Sequence, residues 1–92
     1  MNNSHLGMVR QWQELFYNKR YSATQMQNPD FVAIANAYHI TGREVNKREE
    51  LDEAIAEMLQ DDKAFLLVVH VEEMGMVYPM TPAGSAVTNI LY

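Results

Sequence analysis

Phe65-Leu66-Leu67-Val68-Val69 is an unbroken apolar run, and its reading decides the fold class. A strand with one wet face alternates apolar and polar side chains. A continuous apolar run is the pattern of a strand in a parallel sheet covered by helices on both faces. Three helical stripes precede it. Met8, Trp12, Leu15 and Phe16 are spaced to share one face of a helix that follows Gly7 and ends near Asn18. Asn28-Pro29-Asp30 is a helix-start pattern, with Asn as cap, Pro in the first helical position and Asp in the first turn. Phe31, Ile34, Ala35 and Tyr38 then make a second stripe. Leu51, Ala54, Ile55, Met58 and Leu59 make a third, ending near Gln60, behind an Asn46 and Glu49 pair at capping-box spacing.

Gly42 interrupts the pattern between the second and third stripes, and Arg43 to Val45 reads as a short strand. The order helix, helix, strand, helix, strand predicts an α/β domain with parallel pairing. Met1 to Asn3 is expected to be the end of another strand. The whole chain, residues 1–92, is therefore expected to be a partial three-layer parallel-sheet domain, with open sheet edges. Lys19 to Asn28 reads as a loop anchored by Tyr21 and Met26. The tail, with Pro79, Pro82 and Gly84, reads as an irregular crossing segment with a final helical turn from Ser85.

Bulk properties narrow the function classes. Ninety-two residues make one small domain or part of a larger one. Seven basic residues against twelve acidic give a net charge of −5, which argues against a nucleic-acid partner, since that needs a clustered basic face. There is no cysteine, hence neither disulfide nor thiolate chemistry, and a cytoplasmic compartment fits. The longest apolar run, Ala64 to Val71, is interrupted by His70 and falls far short of the roughly 20 residues a membrane helix needs. No basic-then-apolar leader pattern opens the chain.

Few residues suggest chemistry. Asn2-Asn3 lies in a strand-to-helix loop. An Asn side-chain oxygen and a nearby backbone carbonyl suit Mg²⁺, which takes hard oxygen ligands, and the adjoining helix N-terminus favours a diphosphate. Asn pairs are also ordinary turn residues. Trp12 and Met8 fit a packed helix face as well as a pocket wall. His39 and His70 belong to no metal-ligand cluster, and no Ser stands in a nucleophile motif. The acidic run Glu49 to Glu57 reads as a solvated helix face with a favourable first turn. Arg10 could meet a phosphate or carboxylate, but a surface position or a pairing with Glu14 one turn on is favoured.

The opening stretch, Asn2-Asn3 followed by Gly7-Met8-Val9 and Gln11-Trp12-Gln13, resembles the acetolactate synthases, a family of thiamine-diphosphate enzymes. The similarity continues through Leu15-Phe16-Tyr17, Arg20-Tyr21-Ser22, Asn28-Pro29-Asp30-Phe31, Glu49-Glu50-Leu51 and Tyr78-Pro79-Met80 with Gly84. In thiamine-diphosphate enzymes the metal motif opens with Gly-Asp-Gly and closes with Asn-Asn; only the closing pair is found here.

The resemblance implies the C-terminal half of a thiamine-diphosphate-binding fold. It implies that Asn3 gives its side-chain oxygen and His5 its backbone carbonyl to Mg²⁺. It further implies that Gly7, Met8 and Val9 line the cofactor side, and that Met8 and Trp12 shape the substrate channel. The implied reaction condenses two 2-oxo acids with loss of CO₂, in branched-chain amino-acid biosynthesis. FAD belongs to the full-length family and not to this segment, and no residue here is implied to be catalytic. The remainder of the catalytic subunit, a homo-oligomer and a regulatory subunit are the implied partners. The 92-residue polypeptide alone is expected to be inactive. The competing expectation is a non-catalytic α/β module that self-associates or complements a partner chain.

Overall fold

A computed structural model describes residues 1–92. The elements run α1 (Gly7–Phe16), α2 (Phe31–Ala37), β1 (Thr41–Val45), α3 (Leu51–Gln60) and β2 (Phe65–Val69), with a single 3₁₀ turn at Arg48–Glu50 before α3. No helix is long and apolar enough to cross a membrane. The chain divides into two compact units. One comprises Met1–Ser4 and Met26–Glu73; the other comprises His5–Gln25 and Met74–Tyr92.

The first unit is built on the expected parallel pair. β1 and β2 run parallel in register, Thr41 opposite Phe65 through Val45 opposite Val69. A parallel pair cannot be closed by a tight turn, and α3 is the crossover between the two strands. The ladder extends on the other edge of β2: Asn2 N donates to Val69 O at 2.8 Å and Val71 N donates to Asn2 O at 3.0 Å. The segment around Asn2 is thus parallel to the end of β2, where a further strand is expected.

Ala35 of α2, Val45 of β1, Ala54 of α3 and Val68 of β2 are the buried apolar residues of this unit. Gly42 lets α2 approach β1 closely. A Cβ built there would lie 3.2 Å from Val32 Cγ1 and 3.4 Å from Ala35 Cβ. The interruption read at Gly42 is therefore a packing requirement inside a strand, not a break before one.

Several local expectations are corrected. Leu66 of β2 is 36% exposed, so the apolar run is not covered on both faces; two short helices do not blanket the sheet within this unit. Ile34, Tyr38 and Leu59 are also exposed, because α2 and α3 bury narrow faces centred on Ala35 and Ala54. The α2 cap is Asp30, whose carboxylate accepts from Ala33 N at 3.0 Å. Asn28 instead donates to Asn2 Oδ1 at 2.7 Å, two positions too early to cap. The Asn46–Glu49 capping box does not form. The 3₁₀ turn starts from Lys47 and the N-cap of α3 is Glu50, neither with a side-chain cap.

The acidic face of α3 is not wholly solvated either. Arg43 Nη1 meets Glu57 Oε2 at 2.6 Å and Glu53 Oε1 at 3.7 Å. The hydrogen bond with Glu57, helped by the Glu53 charge, raises the Arg43 guanidinium above its ordinary value. His70 Nε2 pairs with Glu44 Oε1 across the strands.

The second unit is α1, the loop that follows it, and the tail. Leu6 N donates to Thr24 O at 2.8 Å, and His5 and Gln25 form an antiparallel bridge. Thr24 is the buried residue of the loop, while the expected anchor Tyr21 is 43% exposed. Met26, the other expected anchor and a residue of the first unit, is exposed as well. The tail forms no helical turn at Ser85. It folds back through turns, with Gly84 at φ 80°, so that Met80 and Leu91 exchange backbone bonds of 3.0 and 2.8 Å.

Candidate functional site

The Asn pair divides its labour. In the first unit, Asn2 Oδ1 accepts from Asn28 Nδ2 at 2.7 Å and from Ser4 N at 3.1 Å. A carbonyl oxygen has two lone pairs, so Asn2 is committed to holding the loop. Ser4 sits in the left-handed region at φ 56°, and its carbonyl accepts from Met26 N at 2.7 Å. Asn3, half-buried, stands between these two fixed residues. His5 belongs to the second unit and stands opposite Gln25 in an antiparallel bridge whose hydrogen bonds are made by its neighbours, as from Leu6 N to Thr24 O.

Helix α1 begins at Gly7 with Leu6 as its N-cap, no side-chain cap and no acidic residue in the first turn. Its first N–H groups have no acceptor within the helix. An uncapped N-terminus free of carboxylates suits an anion.

The faces of α1 are the reverse of what an amphipathic stripe predicts. Arg10 and Gln11 are the buried residues, each 1% exposed, while Trp12 is 47% exposed. The open apolar face lines a cavity of about 510 Å³, with Met8, Trp12, Phe16 and Tyr17 on the helix side and Met80 to Ala83 on the tail side. Met8 and Trp12 are thus brought together as a cavity wall. Val9 is exposed and does not line this cavity.

The two buried polar residues have different roles. Gln11 Oε1 accepts from Val77 N at 2.7 Å, and Gln11 Nε2 donates to Val77 O and lies against Met80 Sδ, both at 2.9 Å. Its amide works like a peptide group in a ladder. Gln13, further round the helix, donates to Ser22 O at 3.0 Å and accepts from Thr24 Oγ1 at 3.1 Å.

Arg10 is buried rather than at the surface. Its Nη1 is 3.6 Å from Glu14 Oε2, its Nη2 is 3.9 Å from Met76 Sδ, and its guanidinium lies 5.9 Å from the Tyr21 ring centre. Nε and Nη1 have no hydrogen-bond partner. The pairing with Glu14 follows from helical spacing, but the tail that covers Arg10 joins it from more than sixty residues away.

Sequence reading passed over Gln11 and the Met80–Ala83 wall. A signal was available in part: Gln11 and Gln13 bracket Trp12 in the same short motif. What that motif does not show is the distant segment the amide grips. The oxygens of Asn3 and His5 are hard donors of the kind Mg²⁺ prefers. No group of three or more His, Cys, Asp or Glu side chains stands together to hold a metal.

Residues 1–69 match the family described as thiamine pyrophosphate enzyme, C-terminal TPP binding domain. The chain is also similar to acetolactate synthases over nearly its whole length. It is 39% identical over 92 residues to acetolactate synthase isozyme 2 large subunit of Escherichia coli, covering 99% of this chain and 17% of that protein. It is 45% identical over 91 residues to the mitochondrial acetolactate synthase of Schizosaccharomyces pombe, covering 99% and 14%. It is 40% identical over 98 residues to the large subunit from Corynebacterium glutamicum, covering 100% and 16%. The chain thus spans 14 to 17% of the length of these curated relatives.

Proposed function

We propose that this chain, which belongs to the thiamine pyrophosphate enzymes through their C-terminal TPP binding domain, serves as that segment of an acetolactate synthase catalytic subunit. The carrying observation is identity of 39 to 45% with E. coli and S. pombe acetolactate synthases over 99% of the chain. The half-open cavity of Met8, Trp12 and the tail supports the same reading, because an apolar wall suits the alkyl part of a small 2-oxo acid.

In this reading Asn3 offers its side-chain oxygen and His5 its backbone carbonyl to Mg²⁺. The fit rests on donor chemistry: both are hard neutral oxygens of the kind Mg²⁺ prefers, and Asn2 is already held by two donors. The uncapped first turn of α1, at Gly7, Met8 and Val9, would hold the diphosphate end of the cofactor. When bound, thiamine diphosphate supplies the carbanion chemistry that joins two 2-oxo acids with loss of CO₂. The chain's own contribution is to bind, orient and exclude water; Trp12 limits the size of the second 2-oxo acid.

The proposal assigns the anionic metal ligand, the flavin site and the group that activates the cofactor to other parts of such a subunit. It also assigns a homo-oligomer, a regulatory subunit and a cytoplasmic compartment. A polypeptide of these 92 residues alone is inactive in this account. With thiamine diphosphate and Mg²⁺ it should form no acetolactate from pyruvate and give little binding heat in calorimetry. Turnover by the isolated polypeptide would overturn the half-site assignment.

A further inference from the structure

We infer that Gln11 is the positioning residue that sets the width of the Trp12 cavity, by clamping the tail as its opposite wall. A polar side chain buried to 1% exposure is costly unless its hydrogen bonds are made. Here both ends of the amide are used, and both go to one backbone position. The 2.7 Å bond from Val77 N and the 2.9 Å bond to Val77 O form a two-bond bridge of the kind two strands make. One side chain thereby fixes the position and the facing of the tail.

The clamp acts on the cavity through a short lever. Val77 is three residues before Met80, and Met80 to Ala83 are the tail-side lining. Gln11 Nε2 also lies against Met80 Sδ at 2.9 Å. The near end of that wall is tied as well, by the paired backbone bonds of Met80 with Leu91. On the helix side, Gln11 is next in sequence to Trp12, so the clamp and the aromatic wall are set by one turn of α1. Moving the Val77 anchor moves the lining, while Met8, Trp12, Phe16 and Tyr17 keep their places on the helix.

The consequence for selectivity rests on reading the cavity as the site of the second 2-oxo acid. The placement of the tail does not, and it is measured without any reaction. Trp12 is the sole tryptophan, so fluorescence of the chain reports the cavity wall directly.

The experiment compares Gln11→Met and Gln11→Glu with Gln13→Met. Gln11→Met keeps the bulk and removes both bonds. Gln11→Glu keeps the shape and the acceptor but loses the donor to Val77 O. Gln13→Met removes bonds of the same kind on the same helix that lead elsewhere. In Gln11→Met, exchange of the Val77 amide should quicken about ten-fold, as expected when one made hydrogen bond is lost. Gln11→Glu keeps the acceptor for Val77 N and is read by Trp12 instead: acrylamide quenching should rise in both Gln11 variants, while Gln13→Met leaves both readings unchanged.

If Gln11→Met does not fold, Trp12 quenching in Gln11→Glu decides. Folded Gln11→Met with unchanged Val77 exchange and quenching, or folded Gln11→Glu with unchanged quenching, overturns the clamp. Equal changes in Gln13→Met overturn it too, since they would mark general loosening of α1. If the tail moves as expected while the assembled enzyme keeps its choice of second 2-oxo acid, the clamp stands and the acceptor-site reading fails.

Discussion

Asn28 Nδ2 lies 2.7 Å from Asn2 Oδ1, joining the start of the chain to the segment that leads into α2. The same oxygen accepts from Ser4 N at 3.1 Å. Asn2 is therefore a structural clasp, and within the pair the proposed metal-ligand role rests with Asn3. Asn28→Ala should destabilise the first unit by about 1 kcal/mol, the usual net worth of one hydrogen bond. Urea denaturation of the two chains measures this. Unchanged stability would show that the clasp is not needed to hold the loop.

Asn3→Ala separates ligand from scaffold. Within an assembled enzyme it should raise the Mg²⁺ concentration needed for half-activity by about ten-fold or more, the scale on which even outer-shell partners of a metal act. The cost to folding should stay near about 1 kcal/mol, the scale of one polar interaction, since Asn3 keeps a contact of its own. A magnesium titration with a parallel melting curve tests both, and an unchanged metal requirement would remove Asn3 from the proposed ligand set.

Gly42→Val tests the close approach of α2 to β1. The added side chain begins with a Cβ already 3.2 Å from Val32 Cγ1, so the helix must move outward. The expected cost is about 1–3 kcal/mol, typical of overpacking. A midpoint in urea equal to that of the parent chain would contradict the packing described.

Arg10→Met addresses a buried cation with two donors unmet. Replacing a whole buried ion pair by apolar side chains is commonly neutral or stabilising, whereas removing one partner leaves the other charge uncompensated. For this chain the two effects should nearly offset, to within about 1 kcal/mol, because the Glu14 left behind is partly exposed, with 23% of its side chain open to solvent. Denaturation that shows strong destabilisation would mean that Arg10 has a satisfying partner.

Trp12→Ala opens the cavity on its helix side. With pyruvate and 2-oxobutyrate in competition, an assembled enzyme carrying it should discriminate less between them, within the roughly 10–200-fold that one methylene can provide. The product ratio measures this, and an unaltered ratio would place Trp12 outside the acceptor pocket.

What could be read from the chain follows from how local each signal is. The run Phe65–Val69 and the stripe centred on Ala54 identify a parallel pair with a helical crossover, because both signals lie within one element. Caps were less legible. Asn28 looks like a helix cap by composition, yet Asp30 is nearer the first turn and Asn28 is drawn to Asn2. The burial of α1 was least legible. Its apolar stripe suggests a core face, but a tail more than sixty residues away covers Arg10 and Gln11 and leaves Trp12 lining a cavity. The short motif around Trp12 identified a family; it did not disclose which segment faces it.

The most direct test of the central claim is a replacement experiment. The segment of the E. coli isozyme 2 large subunit that matches this chain over 92 residues is exchanged for residues 1–92, and acetolactate is measured from pyruvate with thiamine diphosphate and Mg²⁺. The account predicts acetolactate formation that depends on both cofactors and is weakened by Asn3→Ala. A folded, correctly assembled chimera that forms no acetolactate would contradict it.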